Sequence, residues 1–100
     1  MPQFRELFWK DARAEHMELK HGVNWFEVTE AFETDEHYFF ERTHPSEKYP
    51  EVDRYKLYCR TEVGRHLIVI LDDMGDGIAA PVTAREMKRR ERSKYRARVR

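Results

Sequence analysis

The longest uninterrupted hydrophobic run in the chain is LIVIL at positions 67–71, which lies between Arg65 and Asp72. A strand that is apolar at every position has both of its faces buried, as a central strand of a sheet does. The run therefore predicts a central strand over 65–72.

A second strand is predicted over 53–60, where apolar and polar residues alternate. Because successive residues of a strand point to opposite faces of a sheet, the alternation divides this segment into two sets. The sets are Tyr55, Leu57 and Cys59 on one side, and Arg54, Lys56, Tyr58 and Arg60 on the other. The second set predicts a sheet face that carries cations and a tyrosine.

Three further segments contain bulky apolar residues at strand-like spacing, and they predict strands over 4–9, 36–42 and 78–83. Pro81 has no backbone N–H to donate, so it indicates that the last of these is an edge strand or contains a bulge. Turns at 61–64 and 73–77 separate the last three strands, and a loop with two prolines covers 43–50.

The first helix is predicted over 11–19, a segment without glycine or proline. Gly22 follows this segment closely. Glycine just past the last helical residue adopts the left-handed conformation that ends a helix, so we expect the helix to stop there.

A second helix is predicted from Asn24 to about residue 32. Asn24 followed three residues later by Glu27 is the sequence pattern of a capping box. Within the helix, Trp25, Val28 and Phe32 follow the spacing of one helical face, which predicts that these three side chains are buried.

A third, strongly basic helix is predicted over 84–97. Residues 85–100 include nine Lys or Arg and two Glu, a local net charge of +7, in a chain that is formally neutral overall. The balancing −7 is found in 26–53, which has nine Asp or Glu and two Lys or Arg. A separated basic surface attracts polyanions such as nucleic acid, although a charge run is also typical of a solvated face. Only Met87, Tyr95 and Val99 are sizeable apolar residues here, which predicts weak docking of this helix.

The order of elements, β-α-α-β-β-β-β-α, predicts an α+β fold in a single domain over residues 1–100. Because short connections join the last strands, we expect an antiparallel β-sheet flanked by helices, with the helices grouped on one face. The chain has 100 residues, of which 40% are hydrophobic and 13% aromatic. This allows one modest core in which aromatic side chains join the 67–71 run.

Cys59 is the only cysteine, which excludes an intrachain disulfide and favours a reducing compartment. The sequence shows neither a signal-peptide pattern nor an apolar stretch of the ~18 residues that a membrane span requires. We therefore expect a cytoplasmic protein.

The cationic residues are the strongest candidates for chemistry. Cleavage of RNA without a metal needs a base for the 2′-hydroxyl proton, cations for the charge that develops on the phosphoryl group, and an acid for the 5′-oxygen. The candidate cations are Lys20, Arg54, Lys56, Arg60, Arg65 and Arg85. The base and the acid are open among His21, Glu51, Asp53, His66 and a lysine of lowered pKa. For the strand cations the alternative is a solvated strand face, and for Lys20 and His21 it is a favourable interaction with the helix dipole.

No metal site is predicted, because the five histidines show neither an H-E-x-x-H motif nor paired Cys/His spacing. The chain also lacks a glycine-rich phosphate loop and a G-x-S-x-G motif. We therefore expect no cofactor, and neither nucleotide hydrolysis nor acyl transfer is supported.

Three groups of residues resemble motifs of one family, the BrnT-like toxins of bacterial type II toxin–antitoxin systems. Trp9, the helix after it and the K-H-G-V turn at 20–23 resemble the family's opening. D-R-Y at 53–55, C-R at 59–60 and G-R-H-L-I-V-I at 64–70 resemble its central strands. T-A-R at 83–85, R-R-E-R at 89–92 and Tyr95 resemble its closing segment. Each motif alone is weak, but the three in this order and spacing are fairly specific.

The resemblance implies a RelE-like fold, ribosome-independent ribonuclease activity and a ribbon-helix-helix, BrnA-like antitoxin. It also implies a 2:2 toxin–antitoxin complex that represses the shared promoter by binding operator DNA. The residues matching the family's catalytic surface are Lys20, Arg60 and Arg85, with Asp53 and Arg54 as further catalytic candidates. The expected RNA-binding residues are Lys56, Tyr58, Arg65, Lys88, Arg89 and Arg92.

Three hypotheses follow, and the first two are functions of different classes. The first is an endonuclease toxin that cleaves single-stranded RNA without a metal and so inhibits translation and growth. In it, Arg60 and Arg85 stabilise the phosphoryl transition state and Lys20 assists them or transfers a proton. The alternative, motivated by the lack of an unambiguous general base, is a catalytically silent RelE-like module that binds nucleic acid or protein through the basic helix. A third interpretation is a structural module in which the acidic segment of one copy pairs with the basic tail of another.

Overall fold

The structure, a computed structural model, describes residues 3–99, except for the side chains of Asp11 and Leu19. The ends of the predicted domain, residues 1–2 and 100, lie outside the described residues. The elements are β1 (Glu6–Leu7), α1 (Asp11–His21), α2 (Trp25–Thr34), β2 (Phe39–Thr43), β3 (Arg54–Arg60), β4 (His66–Asp73), β5 (Ile78–Glu86) and α3 (Arg89–Val99). The predicted order of elements is confirmed.

The five strands form one sheet in the order β1-β5-β4-β3-β2. β4, which contains the 67–71 run, is the central strand as predicted. The last four strands, β2 to β5, pair antiparallel as their short connections predict, but β1 pairs parallel to β5, so the sheet as a whole is mixed. The reason is that β1 is followed by α1 and α2 and not by a short turn. Only a short turn between two strands forces them to pair antiparallel.

β5 contains an irregularity at Pro81. Ile70 pairs with Thr83 but Leu71 pairs with Pro81, so Val82 has no opposite residue in β4. This is the bulge that the missing N–H of proline predicts.

The expectation that all helices lie on one face of the sheet is wrong. Met17 of α1 and Val28 of α2 belong to a core cluster with Leu57 and Leu67, whereas Tyr95 belongs to a second cluster. The second cluster consists of Phe39, Tyr58, Ile68, Met87 and Tyr95. Because β4 is apolar on both faces, each face needs a covering layer, and α3 covers the face opposite to α1 and α2.

The third helix differs from its prediction in its start and in its docking. Residues 84–86 belong to β5, where they pair with β4, and α3 begins only at Arg89. The few apolar residues are nevertheless buried, since Met87 and Tyr95 are each 3% exposed. Weak docking was therefore the wrong expectation, because the polar contacts described below add to these apolar contacts.

The ends of the first two helices agree with their sequence patterns. Gly22 has φ 65° and ends α1, and the Glu27 carboxylate accepts a hydrogen bond of 2.9 Å from the backbone N–H of Asn24 at the start of α2. The predicted buried face of α2 is right for Val28 and for Phe32, which packs against the core, but wrong for Trp25. Val28 and Ala31 are buried, while Trp25 is 47% exposed.

The first strand is much shorter than the predicted 4–9. Only Glu6 and Leu7 pair with β5. Phe4 packs in the core cluster beneath the sheet, and Phe8 is exposed.

Among the described residues, no helix has both the length and the apolar content that a membrane span needs.

Candidate functional site

The Asp35 carboxylate joins three elements on the face covered by α3. The Tyr95 hydroxyl of α3 donates to both of its oxygens, at 3.0 and 2.9 Å. The backbone N–H groups of Arg60, at the end of β3, and of His37 also donate to it, each at 2.9 Å. The end of β3 and the middle of α3 are therefore held together by one carboxylate.

His66 lies directly beside Arg60, because the two residues are paired in the β3–β4 register. Its ring contacts the Tyr95 ring edge-on, with centroids 5.4 Å apart and an interplanar angle of 84°. Burial lowers the pKa of His66, and the positive charges of Arg60, Arg96 and Arg92 lower it further, while Asp35 acts in the opposite direction. The lowered pKa favours the uncharged imidazole, which can accept a proton.

The cations around His66 keep hydrogen-bond donors that no described residue occupies. Arg60 and Arg96 are exposed, and neither forms an ion pair with a described carboxylate within residues 3–99. Arg92 uses one N–H on the Met87 carbonyl oxygen at 2.8 Å, which leaves its other donors available. Arg60 also borders an open polar cleft of about 350 Å³ beside the turn after α2.

A second group of cations on the same face is centred on Glu91. Arg85 donates to the two Glu91 oxygens at 2.7 and 2.8 Å, Lys56 donates at 3.1 Å, and the backbone N–H of Lys88 donates at 2.8 Å. The bond from Arg85 is the main reason that the pKa of Glu91 falls to about 2. The Arg85 guanidinium is thus in the bidentate geometry it would use for a phosphate, but its partner is a carboxylate of the same chain.

Tyr58 is not open to a nucleic-acid base. It is 2% exposed, and its ring stacks on Phe39 with centroids 4.4 Å apart. Its hydroxyl donates to Glu41, which also forms an ion pair with Lys94. The tyrosine predicted to contact RNA therefore belongs to the core under α3.

Asp53 and Arg54 lie where β3 begins, at the end of the sheet opposite to His66 and Arg60. Arg42 donates to Asp53 at 2.6 Å, and Arg54 forms a bidentate pair with Asp72 at 2.7 and 3.1 Å. The structure therefore does not bring these two residues together with Arg60.

Lys20 and Arg65 belong to the other layer. Lys20 is exposed in the last turn of α1. The Arg65 guanidinium donates to Glu27 at 2.8 and 2.9 Å and to the Gly22 carbonyl oxygen at 3.0 Å, so it ties the α1–α2 corner to the start of β4. Lys20 therefore belongs to a helix on the face opposite α3.

Lys88 and Arg89 are exposed at the start of α3. Sequence reasoning did not select Asp35, Glu91, Tyr95 or Arg96 as site residues. Tyr95 had a usable signal, since it is the one aromatic residue in a basic helix. Asp35 and Glu91 had no such signal. The partner of Asp35, Tyr95, is distant in sequence. The partner Arg85 of Glu91 cannot be told apart in the sequence from the other cations around it. Within residues 3–99, no three His, Cys, Asp or Glu side chains are arranged to share a metal ion.

No protein-family model matches the sequence, and no curated protein is detectably similar to it. Among solved structures, the fold is similar to the 1.1 Å crystal structure of the Brucella abortus ribonuclease toxin BrnT. The TM-score is 0.62 at 15% sequence identity, over 84% of this chain and 97% of that chain. The likeness confirms the fold implied by the sequence motifs, and the chain thus has the α+β fold of the BrnT toxin.

Proposed function

We propose that this protein is an RNA endonuclease and the toxin of a type II toxin–antitoxin pair. The observation that carries the proposal is the His66 imidazole beside the exposed Arg60 at one end of the sheet, where burial lowers the pKa of His66 and Arg92 and Arg96 are close enough to lower it further. The fold shared with a ribonuclease toxin supports the same function. A base and several cations are the groups that metal-independent RNA cleavage requires.

In the proposed reaction, His66 removes the proton from the 2′-hydroxyl and the 2′-oxygen attacks the adjacent phosphorus. Arg60, with Arg92 and Arg96, stabilises the negative charge on the phosphoryl oxygens. The bond to the 5′-oxygen then breaks, and this leaving oxygen takes a proton from water at the exposed edge. The products are a 2′,3′-cyclic phosphate and a 5′-hydroxyl end.

Tyr95 is not proposed as the acid. Burial raises the pKa of its hydroxyl, and the hydrogen bond to Asp35 raises it further. A phenol that already donates to a carboxylate is a poor proton donor to a leaving group. Its role is to hold α3 and the His66 ring.

The other cations receive two different roles. Lys88, Arg89 and Lys20 bind RNA phosphates outside the cleaved bond, which makes affinity dependent on salt. Arg85 and Lys56 hold α3 on the sheet through Glu91. Arg54, Asp53, Arg65 and Tyr58 support the fold through the contacts described above.

The test is expression of the chain alone in bacteria, followed by incubation of the purified protein with labelled single-stranded RNA in the presence of EDTA. We expect growth arrest, RNA decay, and cleavage products with cyclic phosphate ends. Intact RNA together with normal growth would contradict the proposal.

The proposed partner is a ribbon-helix-helix antitoxin, in a 2:2 complex that binds operator DNA in the cytoplasm. We expect the antitoxin to contact this chain through an acidic segment, because the exposed cations of α3 attract opposite charge. Co-expression with a ribbon-helix-helix protein encoded beside this chain is expected to restore growth. Persistent arrest together with no complex in size-exclusion chromatography would argue against that partner.

A catalytically silent binding module is the second candidate. It is favoured by the pairing of Arg85 and Arg54 with carboxylates, which occupies two of the predicted catalytic cations. The same purified protein distinguishes the two candidates. A silent module gives a salt-sensitive shift of labelled RNA without products.

A further inference from the structure

A basic cavity lies at the end of the sheet remote from His66, where β3 begins and β4 ends. Its volume is about 390 Å³. Lys10 and Arg13 line it from the start of α1, Lys48 and Tyr49 line it from the loop 44–53, and the paired Arg54 and Asp72 line it from the sheet. Three separate parts of the fold thus contribute to one concave surface.

The residues that line this cavity carry a net positive charge. Lys10, Arg13 and Lys48 are exposed, and none forms an ion pair with another side chain that the structure describes. The lining carboxylate, Asp72, is held by Arg54 in a bidentate pair. Three cations therefore meet around a space that has room for an anion.

The cavity also has an aromatic and an apolar wall. The Tyr49 ring is 52% exposed, and the Lys48 ammonium lies 5.6 Å from its centroid. Pro81 and Val82, at the bulge of β5, form part of the opposite lining. A volume of this size is within the range of small-molecule sites, and it is larger than one oxyanion needs. An exposed aromatic ring next to cations is the arrangement that binds a nucleotide, since the ring stacks on the base and the cations bind the phosphate.

We infer that this cavity binds a nucleotide, with its base against Tyr49 and its phosphate held by Lys10, Arg13 and Lys48. The nucleotide is either free or part of an RNA strand, because both present the same base and phosphate. The inference goes beyond the proposed cleavage function. His66 and Asp72 lie at opposite ends of β4, which at ~3.3 Å per residue separates the two sites by roughly 20 Å.

The experiment is a titration of the isotopically labelled full chain with three probes, followed by NMR. The probes are adenosine 5′-monophosphate, inorganic phosphate, and a 2′-O-methylated single-stranded oligonucleotide. None of them can be cleaved by attack of a 2′-hydroxyl, so the outcome is independent of ribonuclease activity. Failure of the proposed function leaves this binding test intact.

We expect adenosine 5′-monophosphate to shift the amide signals of Arg13, Lys48 and Tyr49, and to bind at least tenfold more tightly than inorganic phosphate. Tyr49→Ala should weaken binding by about 5- to 100-fold, which is the usual loss of one base stack. Arg13→Ala with Lys48→Ala should also weaken it at least tenfold. Arg98→Ala is the matched control, because it removes one exposed cation at the other end of the sheet, over the Phe39 ring; its affinity should equal that of the unmodified chain.

The source of the nucleotide follows from the two organic probes. If the oligonucleotide binds much more tightly than the mononucleotide and the cavity variants remove that advantage, the cavity holds a nucleotide of an RNA strand. Equal affinities indicate a free nucleotide. The inference is overturned if neither probe shifts the cavity residues, or if the cavity variants bind both probes as tightly as the unmodified chain.

Discussion

Two groups of cations on the face covered by α3 differ in what occupies their hydrogen-bond donors. Arg85 and Lys56 both donate to Glu91, whereas Arg60, beside His66, forms no ion pair with a described side chain. The residue types and the sheet face are the same in both groups. Only the second group combines a cation that forms no ion pair with a described carboxylate and a neighbouring proton acceptor, so the first holds the helix and the second is the proposed cleavage centre.

The largest expected effect is the loss of His66. The variant His66→Gln removes the proposed base but keeps a polar side chain, so RNA cleavage should fall by about 10²- to 10⁴-fold. The measurement is kcat/KM on a labelled oligoribonucleotide at constant salt. His44→Gln is the matched control, because His44 is exposed in the loop 44–53. This variant should cleave RNA at the rate of the unmodified chain. If both variants lost the same amount of kcat/KM, His66 would not be the base.

The Glu91 group should respond in stability. The variant Glu91→Ala leaves Arg85 and Lys56 facing each other without their shared carboxylate, and it also removes the bond to the Lys88 N–H. Because these side chains are mostly buried, the free energy of unfolding should fall by about 2–3 kcal/mol. Urea denaturation measures the change. The exposed Glu36→Ala is the control, with an expected change within ~0.5 kcal/mol. If Glu91→Ala had the same urea midpoint as Glu36→Ala, the ion pairs of Glu91 with Arg85 and Lys56 would not hold α3 on the sheet.

The same group predicts how stability depends on pH. The pKa of Glu91 is about 2 in the folded chain, below its ordinary value of 4.5, so the folded state favours the ionised carboxylate. Its contribution is therefore complete above about pH 5 and is lost as the pH falls toward 2. After allowance for solvent screening, the loss is about 1–2 kcal/mol. Glu91→Gln does not titrate, so its unfolding free energy should decline less over this range. Parallel curves for the two proteins would contradict the assignment.

Local sequence patterns predicted much of the fold. The run at 67–71, the bulge at Pro81 and the stop at Gly22 depend on neighbouring residues only, and all three are confirmed. The distribution of helices over two faces was missed, although the double-sided burial of β4 already requires a layer on each face.

The site was less accessible to sequence reasoning, because it is built from distant pairs. Lys56 and Glu91 are 35 residues apart, and Asp35 and Tyr95 are 60 apart. The sequence identifies a cation but not the carboxylate that pairs with it in the fold. Arg85 was therefore ranked with Arg60 as a catalytic cation, and Asp35 was not considered.

The contrast between Arg60 and Arg85 tests the central claim most directly. The measurement is the single-turnover rate of RNA cleavage by Arg60→Ala and by Arg85→Ala, each corrected for the folded fraction from its own denaturation curve. We expect Arg60→Ala to lose about 10²- to 10³-fold with nearly unchanged stability. Arg85→Ala should lose stability but keep most of its rate per folded molecule. If Arg85→Ala loses as much rate per folded molecule as Arg60→Ala, the cleavage centre includes the Glu91 group and the division between the two groups is wrong.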